Sequence, residues 1–164
     1  MVNCKHLIIF IFIQLGAADP PETNPCPDHW IQGTWVGLGC LLFNTTQKYS
    51  WEDAFAYCQK ENSTLLEFHF QEQYDFLLME IVALADQEGT KEYWWTAGTD
   101  LGKENRWLWL GSLSPVPDFV WYPSYPKIST TSNCLFFEPS WGYAGRDYSC
   151  DYEAMPICQK MNTL

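Results

Sequence analysis

Basic residues are scarce in this chain. Its 164 residues include 9 lysines and arginines against 20 aspartates and glutamates, which gives a net charge of −11. A surface of that sign repels phosphate backbones and anionic headgroups, so the composition disfavours nucleic acid and membrane surfaces as partners. Long apolar runs are also few. The run at residues 7–15 is much shorter than the roughly 20 residues that a membrane-spanning helix needs.

The motifs of common enzyme classes are missing too. The sequence contains no HExxH, no GxSxG, no P-loop and no glycine-rich dinucleotide motif. Its 3 histidines, His6, His29 and His69, are scattered along the chain. These absences indicate that the protein is not an enzyme. A hydrolase built on two carboxylates stays open at this point, because its acids carry no local signature.

The N-terminal residues have the features of a secretory signal. Lys5 and His6 precede the apolar run, and the small residues Gly16, Ala17 and Ala18 follow it. We therefore predict a signal peptide at 1–18, a short polar tail at 19–25 and a folded domain at 26–160. An uncleaved anchor is the alternative. The predicted product is secreted and extracellular, without membrane insertion.

The cysteine count supports an oxidising compartment. One of the 7 cysteines, Cys4, lies in the predicted signal peptide, and six remain. An even number in an exported domain favours disulfides, and no CxxC pair or histidine cluster supports zinc instead. The six are Cys26, Cys40, Cys58, Cys134, Cys150 and Cys158. Asn44 and Asn62 begin N-glycosylation sequons, so both are predicted glycosylation sites.

Helical and strand-like patterns occupy different parts of the chain, which predicts an α+β fold. Ser50 can cap a helix with Asp53 in its first turn, and a second helix is predicted over residues 71–85, ending near Gly89. Short strands are predicted at 35–43, 93–97, 106–110, 135–137 and 155–159. Residues 111–133 contain four prolines and little regular pattern, and loops of this length are often functional.

The cysteine spacing and a tryptophan-rich region together carry a resemblance to a known family. The segment Trp95-Thr96-Ala97-Gly98 is followed by Trp107-Leu108-Trp109 and then Gly111. With the six cysteines, these residues resemble the long form of the C-type lectin-like domain over about residues 26–160. The resemblance implies two helices flanking small antiparallel sheets, a long irregular ligand loop and three disulfides. The pairs it implies are Cys26–Cys40, Cys58–Cys158 and Cys134–Cys150.

The family's primary calcium ligands are mostly replaced here. Sugar-binding members of the family hold calcium through carboxylate and amide oxygens, which are the ligands that a hard cation needs. The matching positions read Tyr125-Pro126-Lys127, Ser132 and Gly145-Arg146-Asp147, where only Asp147 keeps an expected oxygen donor. We therefore predict no metal at the primary site. The family's auxiliary calcium segment is matched by Asp100 and Glu104, so an auxiliary calcium ion stays possible.

Aromatic and cationic residues surround the missing metal site. Aromatic rings stack on sugars, and cationic groups meet hydroxyls, carboxylates or sulfates. The predicted ligand-binding residues are Tyr125, Lys127, Trp141, Tyr143, Arg146 and Asp147. The resemblance implies a carbohydrate-binding protein whose partners are extracellular glycans or glycoproteins, in the manner of innate immune recognition. The alternative is a calcium-independent binder of a protein or another non-sugar ligand.

Overall fold

Among the residues that the structure describes, the regular structure consists of two α-helices, eight strands and three short 3-10 helices. The structure, a computed structural model, describes residues 26–89 and 91–161, so the predicted signal peptide (1–18) and tail (19–25) lie outside the described residues. The helices are α1 (Trp51–Lys60) and α2 (Gln71–Glu88). The strands are β1 (Ile31–Gly33), β2 (Gly39–Phe43), β3 (Thr64–Leu65), β4 (Trp94–Thr99), β5 (Leu108–Trp109), β6 (Cys134–Glu138), β7 (Ala144–Tyr148) and β8 (Met155–Lys160). None of the helices in these residues is long and apolar enough to cross a bilayer.

Both predicted helices begin where their local sequence indicates. The Ser50 hydroxyl accepts a hydrogen bond from the Asp53 amide at 3.2 Å, which satisfies one of the free N–H groups at the start of α1. Helix α2 starts at Gln71 as predicted and runs to Glu88, three residues beyond the predicted end. It stops at Gly89, whose left-handed φ of 67° suits glycine. Capping therefore defines the helix boundaries, apart from the extra turn of α2.

The strands form one sheet from two antiparallel groups. The strand order is β1-β2-β8-β4-β6-β7, with β3 pairing to β8 and β5 pairing to β4. One pairing, between β4 and β8, is parallel and joins the two antiparallel groups. The resemblance implies an α+β fold with antiparallel sheets. The structure confirms this fold and adds one parallel pairing, between β4 and β8. The same order puts β1 and β7 at opposite ends of the sheet.

The core is packed mainly by large rings. The largest side chains with almost no exposed surface include Phe68, Trp95, Trp109, Phe136 and Phe137. The indole N–H of Trp95 donates to the carbonyl of Tyr49 at 2.9 Å, so this buried polar group is satisfied. The high aromatic content of the sequence therefore serves the interior first.

Three disulfides fasten this core. They join Cys26 to Cys40, Cys58 to Cys158 and Cys134 to Cys150, the pairs that the resemblance implies. The Cys58–Cys158 bridge links residues 100 positions apart. In a chain-entropy treatment, closing a loop of that length stabilises the fold by about 4–5 kcal/mol.

Four segments differ from the predicted secondary structure, and two of them are the short strands β1 and β3, which were not predicted. Residues 35 and 36 were expected in a strand but belong to a 3-10 turn (Thr34–Val36), and the strand begins only at Gly39. Strand β7 has no counterpart among the predicted strands. The predicted loop at 111–133 contains a single 3-10 turn, Asp118–Val120, and no strand. This loop and β7 together bring the candidate site residues into proximity.

Candidate ligand-binding site

The long loop is fastened to β7 by a backbone hydrogen bond at a glycine. The amide of Tyr122 donates to the carbonyl of Gly145 at 2.9 Å. A Cβ atom at Gly145 would lie 2.9 Å from both the side chain and the carbonyl oxygen of Val120, so only glycine permits this approach. The Tyr125-Pro126 peptide bond is cis. These features hold the second half of the loop against the strand that carries Arg146.

Asp147 of β7 holds the long loop through a hydrogen bond to its backbone. Its carboxylate oxygen Oδ1 accepts a hydrogen bond from the backbone amide of Lys127 at 2.8 Å, and the residue is only 3% exposed. Burial raises the pKa of Asp147 above its ordinary value, and the Lys127 amide, Arg146 and the Lys127 charge offset part of that rise. Asp147 therefore positions the backbone around Pro126 rather than presenting an open carboxylate.

Three rings form an aromatic platform next to this anchor. The rings of Tyr122 and Trp141 are stacked, with centroids 4.3 Å apart and planes 20° apart. The ring of Tyr125 lies 5.3 Å from that of Trp141. Each of the three is partly exposed, so the platform has both a packed side and a solvent side. Exposed, preorganised rings of this kind can stack on the C–H faces of a sugar.

Arg146 lies within these rings. Its guanidinium carbon is 4.9 Å from the ring centroid of Tyr148, 5.1 Å from that of Trp141 and 5.6 Å from that of Tyr125. These distances are within the range of cation–π attraction. The Nζ atom of Lys127 lies 4.7 Å above the ring of Tyr125 on the same surface. We call the six residues the aromatic–cation surface: Tyr122, Tyr125, Lys127, Trp141, Arg146 and Tyr148.

Glu138 is the ionic partner of Arg146. Its Oε2 atom is 3.3 Å from Nη1 of Arg146, and the side chains are 4% and 29% exposed respectively. Glu138 is the last residue of β6. Strands β6 and β7 pair with Glu138 opposite Ala144, so Arg146, two residues further along β7, is the diagonal neighbour of Glu138. That register, which the sequence does not specify, makes the ion pair.

The residues around Asp147 do not fit a primary calcium ion. Calcium needs about 6–8 oxygen ligands. Here one Asp147 oxygen already accepts the Lys127 amide, and Arg146 and Lys127 both act on this carboxylate with positive charge. This set of donors is too small for a calcium ion, and the two cations beside it repel one.

A different pair of oxygens fits a cation better. One carboxylate oxygen of Asp100 accepts the Asn105 amide at 2.9 Å, but Oδ1 is buried without a partner, as is Oδ1 of Asn133. Burial raises the pKa of Asp100, and the nearby charges of Glu104 and Asp147 raise it further. In the described residues no group of three or more His, Cys, Asp or Glu side chains is arranged for a metal. The fit to an auxiliary cation is thus partial: Asp100, Glu104 and the amide of Asn133 would hold it.

Tyr143 does not join the aromatic–cation surface, which corrects the predicted ligand set. Gly142 and Tyr143 have consecutive left-handed φ angles of 65° and 63°. The Tyr143 side chain is 4% exposed and lines a cavity beside α2 together with Ile81, while its carbonyl accepts the Tyr74 hydroxyl at 3.1 Å. Tyr122 and Tyr148, outside the predicted set, take part in the surface instead. Their position in the aromatic-rich loop and flank is the only sequence signal for them.

The two predicted glycosylation sites differ in access. Asn62 is exposed after α1. Asn44 is only 5% exposed, and its Oδ1 accepts the amide and the hydroxyl of Thr46, each at 2.8 Å. The burial of Asn44 argues against a glycan there, because an attached sugar would have to displace this local network. Asn62 stays a predicted site.

Comparison with known proteins assigns the family. The family described as "Lectin C-type domain" matches residues 47–160, so the chain belongs to the C-type lectin domain family. C-type lectin domain family 12 member B from Bos taurus is 28% identical over 162 residues, covering 98% of this chain and 51% of that protein. The chain thus spans about half the length of this curated relative.

Solved structures give the same assignment. The mouse scavenger receptor C-type lectin carbohydrate-recognition domain has a TM-score of 0.71 and 26% identity, covering 85% of this chain and 98% of that one. A Ca²⁺-dependent type II antifreeze protein in its Ca²⁺-free form has a TM-score of 0.68 and 28% identity, covering 83% and 100% respectively. The fold is therefore shared by proteins with different named functions.

Proposed function

We propose that this domain binds a carbohydrate or glycoconjugate on the aromatic–cation surface, without calcium at the primary site. The observation that carries the proposal is the packing of Arg146 among three rings, beside the position where the family's metal would be. A partly exposed guanidinium can donate two parallel hydrogen bonds to a carboxylate or sulfate. The preferred ligand is therefore an acidic or sulfated sugar.

The aromatic rings supply the second part of recognition. Trp141 and Tyr125 keep part of their ring surface exposed next to the cation, so one ligand can pack its ring there and place its anion on Arg146. Such a site does not need a metal to orient sugar hydroxyls. The membership of the chain in a carbohydrate-binding family supports this ligand class.

The proposed setting is extracellular. The predicted signal peptide at 1–18 and the pairing of the described cysteines support secretion, since disulfides persist in oxidising compartments. A secreted binder of glycans suits innate immune recognition, with glycans or glycoproteins as partners. No catalytic role is part of this proposal.

A glycan array probed in calcium and again in EDTA tests the proposal. We expect binding to acidic or sulfated glycans that EDTA does not change, and that Trp141→Ala lowers. Trp35→Ala is the matched control, because Trp35 is a 70% exposed ring in a different part of the fold. Binding to mannose or galactose that EDTA abolishes would overturn the calcium-independent site.

A non-sugar ligand is the second candidate function. The observation that favours it is the poor fit of the Asp147 region to calcium, because calcium is the means by which sugar-binding relatives hold hydroxyls. The similar antifreeze protein, named for a function other than sugar binding, supports the same alternative. Absence of binding to every glycan on the array would favour this candidate over the first.

A further inference from the structure

A cavity of about 150 Å³ lies between the second half of α2 and strand β4. Ile81, Leu84 and Ala85 line it from α2, and Trp94 lines it from β4. Tyr143, which was predicted to bind the ligand together with Arg146, also lines it. None of its lining residues belongs to the aromatic–cation surface. A cavity of about this volume holds a six-membered ring.

Two polar groups at this cavity lack hydrogen-bond partners. The indole nitrogen of Trp94 and the hydroxyl of Tyr143 are both buried and unpaired. The residues themselves are 3% and 4% exposed, so bulk water does not satisfy these groups. Leaving a buried donor unpaired is unfavourable. A ligand that brings an acceptor oxygen or a π-face to these groups would recover that loss.

The lining is also negatively charged. Glu88 and Glu92 both line the cavity, and because Lys48 offsets the charge of Glu92 at 2.7 Å, the net negative charge of the lining is that of Glu88. The carboxylates of Glu92 and Asp86 act on the Tyr143 hydroxyl and, after burial, contribute to its raised pKa. Residues 51–92 contain ten acidic side chains and only two basic ones. An anionic ligand is therefore disfavoured here, and a cationic one is favoured.

We infer that this cavity binds a small organic amine, whose apolar ring or branched chain packs on Ile81, Leu84 and Trp94 while its ammonium group faces Glu88. The apolar lining accounts for the body of the ligand, and the Glu88 carboxylate accounts for its charge. This site is independent of the proposed glycan surface, because the two share no residue.

Three probes with one shared ring test the charge requirement. They are 2-phenylethylamine, 2-phenylethanol and phenylacetate, which are cationic, neutral and anionic at pH 7. Binding would be measured by calorimetry and by the NMR shift of the Trp94 indole N–H. We expect the amine to bind about fivefold tighter than the alcohol, as one partly exposed charge contact allows, and phenylacetate to bind weakest. Equal binding of the amine and phenylacetate, or no binding of the amine, would overturn the inference.

Variants of α2 locate the site. Glu88→Gln should remove most of the preference for the amine over the alcohol, whereas Glu72→Gln, in the first turn of the same helix and outside the cavity, should keep it. Ala85→Phe fills the cavity and should abolish the binding of both. If Glu88→Gln kept the full preference for the amine over the alcohol, the inference would be overturned, whether or not Ala85→Phe folds. A folded Ala85→Phe that still bound the amine would overturn it as well.

Discussion

Replacing Glu138 with glutamine should strengthen the binding of an anionic sugar. In the folded protein Arg146 is shared between the aromatic platform and the Glu138 carboxylate, 3.3 Å away. A ligand carboxylate or sulfate has to compete with Glu138 for the guanidinium. Glutamine removes the competing charge but keeps an oxygen for the Ser140 amide, which Glu138 accepts at 3.3 Å. The change therefore frees Arg146 while preserving the local hydrogen bond.

The size of the effect follows from the exposure of the pair. Because the Arg146 side chain is 29% exposed, solvent screens the ion pair, and such pairs contribute about 1 kcal/mol or less. Released to the ligand, about 1 kcal/mol corresponds to about fivefold tighter binding. The same loss from the folded state should lower Tm by about 2–4 °C. Stability and affinity are thus expected to change in opposite directions.

Calorimetric titration with galactose 6-sulfate and with galactose measures this. Glu138→Gln should bind the sulfated sugar about fivefold tighter and galactose unchanged, and Arg146→Gln should bind the sulfated sugar at least about fivefold more weakly. Asp28→Asn is the matched control, since it removes one exposed negative charge just before β1, at the opposite end of the sheet from β7. If both Glu138→Gln and Arg146→Gln bind the sulfated sugar more weakly than the wild type, or if neither variant changes its affinity, then Glu138 does not compete with the ligand for Arg146.

Buried oxygens and sequons give further expected outcomes. Asp147→Ala removes the acceptor of the Lys127 amide and should lower the free energy of unfolding by about 1–3 kcal/mol. Asp147→Asn keeps an acceptor and should lose less. Equal losses of the two variants in urea unfolding with EDTA would contradict this role of Asp147. Burial raises the pKa of Asp100 and Asp147 above the ordinary value of 3.8, so the folded state binds a proton at these carboxylates more tightly than the unfolded state does. The free energy of unfolding therefore increases as the pH falls through the raised pKa towards 3.8. Asp100→Asn in EDTA should therefore gain Tm over wild type at pH 7 and lose that gain near pH 4; a gain independent of pH would oppose the assignment. Added Ca²⁺ should raise the Tm of the wild type more than that of Asp100→Asn, and equal shifts would count against an auxiliary cation at Asp100. In protein from secretory cells, the mass loss on enzymatic deglycosylation should disappear in Asn62→Gln and persist in Asn44→Gln, because Asn44 is buried; the reverse pattern would show that the chain around Asn44 opens.

The fold was predictable wherever the signal is local or carried by the family pattern. Ser50 and Gly89 mark helix ends through contacts within a few residues, so the sequence alone locates them. Strand β7 escaped prediction because its inward positions are Gly145 and Asp147 rather than apolar side chains. A strand without apolar alternation has no periodic signal.

The site was predictable in composition but not in arrangement. Tyr125, Lys127, Trp141 and Arg146 do share one surface, and Asp147 lies beneath it. Tyr143 lies only three residues before Arg146 in the sequence yet faces the other way, because its left-handed backbone redirects the chain. Neighbours in sequence are a poor guide to shared surfaces where the backbone leaves its regular path.

Residue types and their spacing encode the family, the cysteine set and the replacement of most of the family's calcium ligands, so all three can be read from the amino-acid sequence. The contacts of Arg146 depend instead on the folded chain. Its ion pair with Glu138 depends on the register of β6 and β7, and its ring contacts depend on a loop held by Asp147 and Gly145. Contacts between residues distant in sequence require the folded geometry, and that geometry sets how strongly a single cation can bind a ligand.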